Sequence, residues 1–272
     1  MKTKLHKIVS AMDALLRVGD FKDDSHNGLQ VENHGSVSKI ALGVDASMDF
    51  FQRAKDSGAD MCVVHHGISW GTSLAKINGE NYRLVRFLIE NGIALYAAHL
   101  PLDAHPQVGN NARIARALGL ENLKPFCEYH GQKIGWKGEL RRALPFEEFC
   151  NLARDRIHGR GAAEEVAAGA RGVAAHPRTF VALPFGKPKV RTVGVASGGA
   201  ASDVSDAIAD GLDCYLTGEM NLQAWNAAKA GAINMLAAGH YATERFGVKA
   251  AGEFLNEHFK ITCEFFDFDI PF

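Results

Sequence analysis

Short apolar runs of buried-strand length alternate with amphipathic stretches along most of this chain. The run Lys39-Ile-Ala-Leu-Gly-Val-Asp45 reads as a strand, residues 48–57 have helical periodicity, Gly58 stops that helix, and Met61-Cys-Val-Val64 is a second apolar run. Together they form a β-α-β unit. A helix predicted over 81–90 ends at Asn91-Gly92 and leads into a third apolar run, 93–98. Near-continuous apolar strands joined by helices predict a sheet that is parallel in part. A helix over 110–118 follows, and the first 17 residues read as an amphipathic helix.

From about residue 125 to 189 the pattern changes to short alternating runs with Gly and Pro punctuation. Leu144-Pro145-Phe146 opens a helix there, and 159–172 is rich in Ala and Gly. Strand and helix alternation then resumes: a strand over 190–196, a Ser197-Gly198-Gly199 turn, a helix over 203–209, a strand over 214–216, a helix over 222–229 and a buried strand over 233–238. The tail reads as a helix over 242–258 and an aromatic-rich strand over 261–268. The expected fold class is α/β, with two α/β domains. One, with a largely parallel sheet, comprises 1–124 plus 233–272; the second, 125–232, is inserted mid-chain.

Composition agrees with this division. The 272 residues fit two moderate domains, and 47% hydrophobic with 22% charged residues describes an ordinary folded protein. The 30 Lys+Arg against 31 Asp+Glu leave a net charge of −1, which argues against nucleic-acid binding through bulk positive charge. No run approaches the ~18 to 20 apolar residues of a membrane span, and the N-terminus lacks a signal-peptide core. A soluble, cytoplasmic protein is expected. Cys62, Cys127, Cys150, Cys214 and Cys263 are widely spaced with no C-x-x-C pair, so they read as buried free thiols.

The twelve histidines carry the chemical signal. Three predicted buried strands run, at their carboxyl ends, into residue types that bind metals. Residues 61–64 lead into His65-His66; 93–98 lead into His99 and, four residues on, Asp103; 233–238 lead through Gly239 into His240 and, four residues on, Glu244. Ligands of open α/β sheets bind outside the carboxyl ends of the strands, so these groups can converge from distant positions. Imidazole with carboxylate suits Zn, Fe, Mn, Co or Ni. The set is too large for one closed tetrahedral ion. Adjacent side chains of an extended segment point to opposite sides, which assigns His65 and His66 to two different ions. His240 and Glu244 share one helix face, and Asp103 or Glu244 can bridge two cations. A centre of two divalent ions roughly 3.5 to 4 Å apart is the economical arrangement.

One such histidine alone would read as structural; three strand ends with the same chemistry favour a metal. His105, His130, His176 and His258 lack such company and read as structural. The segment Ser197-Gly198-Gly199-Ala200 suits either a backbone nest for a phosphate or a plain tight turn. Asp45 either orients a ligating histidine or caps the following helix. Cys62 and Cys214 lie inside apolar strands, where a thiolate is costly, and no nucleophile-elbow sequence is present.

The segments Gly43-Val-Asp-Ala-Ser47, Gly58-Ala-Asp-Met-Cys-Val-Val-His-His-Gly67, His99-Leu-Pro-Leu-Asp103 and Gly239-His-Tyr-Ala-Thr-Glu244 resemble the Nif-three-like family of hexameric dinuclear metal centre proteins, often labelled type 2 homologues of GTP cyclohydrolase I. Weaker matches are Asn27-Gly-Leu-Gln30, Gly194-Val-Ala-Ser-Gly-Gly199 and Tyr215-Leu-Thr-Gly-Glu219. The resemblance implies two α/β domains and a toroidal hexamer whose dinuclear sites face an interior cavity. By matching positions it makes His65, His66, Asp103, His240 and Glu244 metal ligands, with His99 a sixth ligand or a group behind one. The chain departs from the pattern at Gly67, where the family usually has Pro, and at Glu219, where it usually has Asp.

The expected function is hydrolysis assisted by two divalent ions: an activated water attacks an electrophilic carbon or phosphorus, with Glu244 and Asp103 as the catalytic carboxylates. A nucleotide, a cyclic amide or a phosphoester is compatible. The alternative is a non-catalytic, metal-binding hexameric scaffold or regulatory interaction protein. A homo-oligomer is expected, with neither membrane nor nucleic acid as partner.

Overall fold

The computed structural model describes residues 2–159 and 180–270. Most of the expected Ala/Gly-rich stretch, and His176, lie outside the described residues. The chain forms two units, Met1–Leu102 with Gly247–Phe268 and Asp103–Phe246 with Asp269–Phe272. Through the end of the first segment the elements are β1 (Thr3–Lys4), α1 (Leu5–Leu16), β2 (Gly28–Val31), β3 (Ser36–Val37), β4 (Lys39–Asp45), α2 (Met48–Asp56), β5 (Met61–His66), α3 (Gly79–Glu90), β6 (Ala94–Ala97) and α4 (Leu100–Ala104). The chain continues with α5 (Asn110–Ala117), β7 (Leu120–Tyr129), β8 (Gln132–Pro145), α6 (Phe146–His158), β9 (Val181–Leu183), β10 (Lys189–Val195), α7 (Val204–Ala209), β11 (Cys214–Thr217), α8 (Leu222–Ala230), β12 (Asn234–Ala237), α9 (His240–Phe259) and β13 (Thr262–Phe265).

The fold class is α/β, as the alternation predicts. In the first unit the sheet order is β13-β4-β5-β6-β2; the first four strands are parallel and β2 closes the edge antiparallel to β6. The apolar runs become strands because both faces are covered: Ile40, Leu42, Val44 and all of Met61 to Val64 are buried. Helix α2 lays Phe50, Phe51 and Ala54 into that core, and its start is fixed by Ser47, whose Oγ accepts from Phe50 N at 3.2 Å.

In the second unit the sheet order is β7-β8-β10-β11-β12-β9, with β10, β11 and β12 parallel and the remaining pairings antiparallel. Val190, Val193, Val195, Cys214, Leu216 and Leu236 fill its core with Ile114 of α5 and Phe149 of α6. Strands β7 and β8 form one long hairpin turned through His130 and Gly131, both in the left-handed region at φ 50 and 83°.

The second unit is larger than the inserted domain expected over 125–232. Residues 103–124 belong to it because α5 and the start of β7 pack into its core, and 233–246 because β12 hydrogen-bonds to β11. Among the described residues no helix is long and apolar enough to cross a membrane.

Candidate functional site

In the first unit β5 and β6 are adjacent and parallel, so their carboxyl ends lie side by side. That register brings His65 and His66, the last residues of β5, beside His99, which follows β6 through Ala98. Ring centroids are 4.6 Å apart for His65 and His66, 5.1 Å for His65 and His99, and 5.7 Å for His66 and His99. One ring nitrogen of each lies within 4.8 Å of the other two.

The three rings are anchored the same way. His65 Nδ1 is 2.8 Å from the Ala98 carbonyl, His66 Nδ1 2.8 Å from Asp45 Oδ1, and His99 Nδ1 2.9 Å from Asp23 Oδ1. A carbonyl or a carboxylate can only accept, so in each ring Nδ1 carries the hydrogen and the neutral tautomer has its lone pair on Nε2. This is the orientation that ligating histidines receive from their surroundings. Asp45 is thus a holder of His66, while the cap of α2 is Ser47.

Asp23 is a residue the sequence reading missed. Burial alone would raise its carboxyl, but the hydrogen bond and charge of His99, with donors from Asn27 and Ser25, bring it down to about 2. Also missed are Trp70, whose ring meets His99 edge-on at 4.9 Å, and Gln30, whose Oε1 accepts from Ile68 N at 2.8 Å and Ser69 N at 3.1 Å. Gln30 and Ala97 press so closely on Gly67 that a Cβ there would overlap both. Glycine after the histidine pair is therefore a steric requirement of this loop. The weakly matching Asn27-Gly-Leu-Gln30 segment was the available signal for these braces.

In the second unit α9 starts at His240, directly after the β12 connection, and the four-residue spacing puts Glu244 on the same face. His240 Nε2 lies 3.1 Å from Glu244 Oε1 and its Nδ1 2.6 Å from Glu219 Oε1. Burial would lower the imidazolium's pKa; the Glu244 hydrogen bond and charge, then those of Glu219, outweigh it and raise it to about 9. Asp103 Oδ1 accepts from Asn110 Nδ2 at 2.9 Å and from Ser197 Oγ at 3.0 Å. A carboxylate oxygen of Asp103 lies within 4.8 Å of one from Glu244, and both side chains are buried. Two buried carboxylates at that separation are eased by a shared proton or by positive charge, which the His240 ring can bring to Glu244.

The Ser197-Gly198-Gly199 segment is a turn that serves these carboxylates. Ser197 N donates to Asn111 Oδ1 at 2.6 Å and Gly198 N to Thr243 Oγ1 at 3.0 Å, so these amides are engaged within the chain and do not form a phosphate nest. Gly198, at φ 64°, faces the Glu244 carboxylate with no room for a side chain. His105, His130 and His258 lie in local turn or helix contacts apart from this chemistry. Cys62 and Cys214 are fully buried and burial pushes both thiols up.

A model of the Duf34/NIF3 (NGG1p interacting factor 3) family matches residues 3–270. The chain belongs to this family. Relatives named GTP cyclohydrolase 1 type 2 homolog include one from Deinococcus radiodurans, 40% identical over 268 residues and covering 96% of this chain and 92% of that protein. Another, from Pseudomonas aeruginosa, is 36% identical over 271 residues, the full length of both. Among solved structures, the chain is similar to protein ybgI, described as of unknown function, with a TM-score of 0.87 and 32% identity over 99% of this chain and 100% of that one. It is also similar to TTHA1606 from Thermus thermophilus, with a TM-score of 0.81 and 33% identity over 98% and 99%.

Within this Duf34/NIF3 chain, His65, His66 and His99 of the first unit form a group able to hold a metal ion, and the second unit carries its own metal-binding residue types, Asp103, His240 and Glu244. Imidazole nitrogens and carboxylate oxygens are donor types that suit a divalent cation of the borderline transition series. The donor chemistry fits such an ion.

Proposed function

We propose that this Duf34/NIF3 protein is a hydrolase dependent on two divalent metal ions per chain. The observation that carries the reading is the set of three histidines whose Nδ1 atoms are all anchored to oxygen acceptors, with one nitrogen of each within 4.8 Å of the others. A metal-ligating histidine almost always donates its other ring N–H to a carboxylate, a backbone carbonyl or water, as these three do. When bound, divalent ions supply an activated water near neutral pH and polarise the carbon or phosphorus under attack.

The chain's own residues would divide the work. His65, His66 and His99 would each offer a bound cation a ring nitrogen, Nε2, with Nδ1 engaged elsewhere. Asp103 and Glu244 would offer anionic oxygens to a cation and accept hydrogen bonds from the water to be activated. Asn110 and Ser197 both donate to one oxygen of Asp103 and so fix the orientation of its carboxylate. Glu219 accepts a hydrogen bond from His240 Nδ1, so Nε2 is the nitrogen that His240 would offer a cation once deprotonated. We read the two ions as one dinuclear centre, supported by the family resemblance, and a homo-oligomer, expected as a hexamer, on the same support. The relatives' names direct the substrate search first to nucleotides, then to phosphoesters and cyclic amides.

The test is a hydrolysis screen of protein loaded separately with Fe(II), Zn(II), Mn(II) and Co(II). Metal-dependent turnover that is lost in Glu244→Gln and His65→Ala is expected. Metal uptake with no turnover by any loaded form would overturn the hydrolase reading. Manganese loading tests the pairing: exchange coupling between the ions is expected, and the spectrum of isolated ions would refute it.

A further inference from the structure

The metal reading uses only Asp23 of the polar loop that runs into β2, yet the loop's side chains end on both histidine-bearing segments of the first unit. Asp23 Oδ1 accepts from His99 Nδ1 at 2.9 Å and Asp23 Oδ2 from Leu100 N at 3.1 Å. Asn27 Oδ1 accepts from His99 N at 2.7 Å, and Asn27 Nδ2 donates to Asp23 Oδ2 at 2.9 Å. Ring and backbone of His99 are thereby fixed by two residues that also fix each other. A bond between Asn27 and Asp23 alone would be ordinary loop chemistry; here the pair is aimed at a histidine 76 positions from Asp23.

The other end of the same loop grips the segment after His66. Gln30 Oε1 accepts from both Ile68 N and Ser69 N, while its Nε2 donates to His26 O at 2.9 Å. Backbone bonds reinforce the grip: His26 N to Ser69 O at 3.0 Å and Gly71 N to Asp24 O at 2.8 Å. Trp70 Nε1 donates to Gly67 O at 2.7 Å, so the indole that lies against His66 and His99 follows the same backbone. A carboxamide suits this place because it accepts from two amides on one side and donates to a carbonyl on the other. Glutamate would set a carboxylate against His26 O, and methionine would keep the volume without either bond.

We propose that Gln30 and Asp23 are positioning residues: they make the 23–30 loop a brace that sets the path of residues 67–71 and the ring of His99, and so the geometry in which the histidine set takes a metal. The affinity part of this proposal rests on the metal reading above; the brace itself does not.

The experiment uses the full chain as Gln30→Met, Gln30→Glu and Asp23→Asn, with Ser38→Ala as control. Ser38 Oγ donates to Asp60 Oδ2 at 2.7 Å, so the control removes a hydrogen bond of the same unit that touches neither histidine segment. Co(II) affinity is read by chelator competition, the d–d absorption band reports ligand geometry, and amide exchange is followed over residues 65–73. Gln30→Met and Asp23→Asn are expected to weaken Co(II) binding on the order of 10- to 100-fold and to alter the band. Gln30→Met should also accelerate exchange at Ile68 and Ser69, with Gln30→Glu intermediate. Ser38→Ala should leave affinity and band unchanged. Wild-type affinity and spectrum in Gln30→Met would overturn the proposal. If the wild type takes up no Co(II), the metal reading fails and exchange decides the brace: faster exchange at 68 and 69 sustains it, unchanged exchange overturns it.

Discussion

Gly198 and Gly199 are neighbours in one turn, yet alanine should have opposite consequences at the two positions. At Gly198 the backbone is left-handed, φ 64°, and a Cβ would run into the Glu244 carboxylate and approach His240 Nε2 to 3.2 Å. The conformation alone costs an L-residue about 1 to 2 kcal/mol. Moving Glu244 costs more, because its side chain is 3% exposed and pairs with His240 at 3.1 Å; disturbing a buried charged hydrogen bond costs about 1 to 3 kcal/mol. Gly198→Ala should therefore lose about 2 to 5 kcal/mol, a large share of the roughly 5 to 15 kcal/mol of an ordinary protein. At Gly199 the nearest atoms to a Cβ are 3.8 Å away, ordinary contact distance, so Gly199→Ala should stay within about 0.5 kcal/mol of wild type. Urea unfolding followed by circular dichroism measures both, and metal uptake by each variant reads the effect on Glu244. Equal stabilities for the two variants, or intact metal uptake by a destabilised Gly198→Ala, would show that Gly198 does not control the carboxylate.

Other predictions concern places remote from the turn. Asp213 accepts from Lys187 Nζ at 2.7 Å and from the amides of Arg191 and Thr192 at 3.0 Å; these outweigh the effect of burial and hold its carboxyl below the usual range. A pKa depressed in the folded state stabilises above the unfolded carboxylate's pKa and is lost as pH falls through the folded value. Asp213→Asn should thus be about 1 kcal/mol less stable than wild type at neutral pH, with the gap closing below about pH 4; a gap independent of pH in urea titrations would contradict this. Gly252 lies inside α9, where alanine ordinarily stabilises, but a Cβ there would strike Leu42 Cδ1. Gly252→Ala should therefore lower stability by about 1 to 3 kcal/mol, read as a drop in Tm, and a rise would refute the packing argument. Cys62 and Cys214, with no exposed surface, should resist a thiol reagent until denaturant is added; rapid native labelling of either would contradict the burial.

The sequence revealed the donors better than the groups that hold them. His65, His66 and His99 were legible because each follows a buried apolar run, and strand ends are where such folds present chemistry. Their holders were not, because the His99–Asp23 and Ile68–Gln30 contacts span 76 and 38 positions and arise only when β2 joins the edge of the sheet. The helices α2, α5 and α8 are legible from periodicity close to their observed bounds, since their buried faces repeat locally. The β7–β8 hairpin shows only as irregular alternation: its turn uses His130-Gly131 in place of the Asn-Gly that usually marks two left-handed residues. The extent of the second unit was equally invisible, because the run ending at Ala237 looks the same whether its partner is β11 or a strand of the other sheet.

Whether these histidines and carboxylates hold a metal pair is decided by elemental analysis of metal per chain, on wild type and His65→Ala purified without chelators or an affinity tag. About two divalent ions per wild-type chain, falling sharply in the variant, is the expected result. No bound metal in the wild type, and none taken up on reconstitution, would rule out the metal centre and the hydrolase built on it.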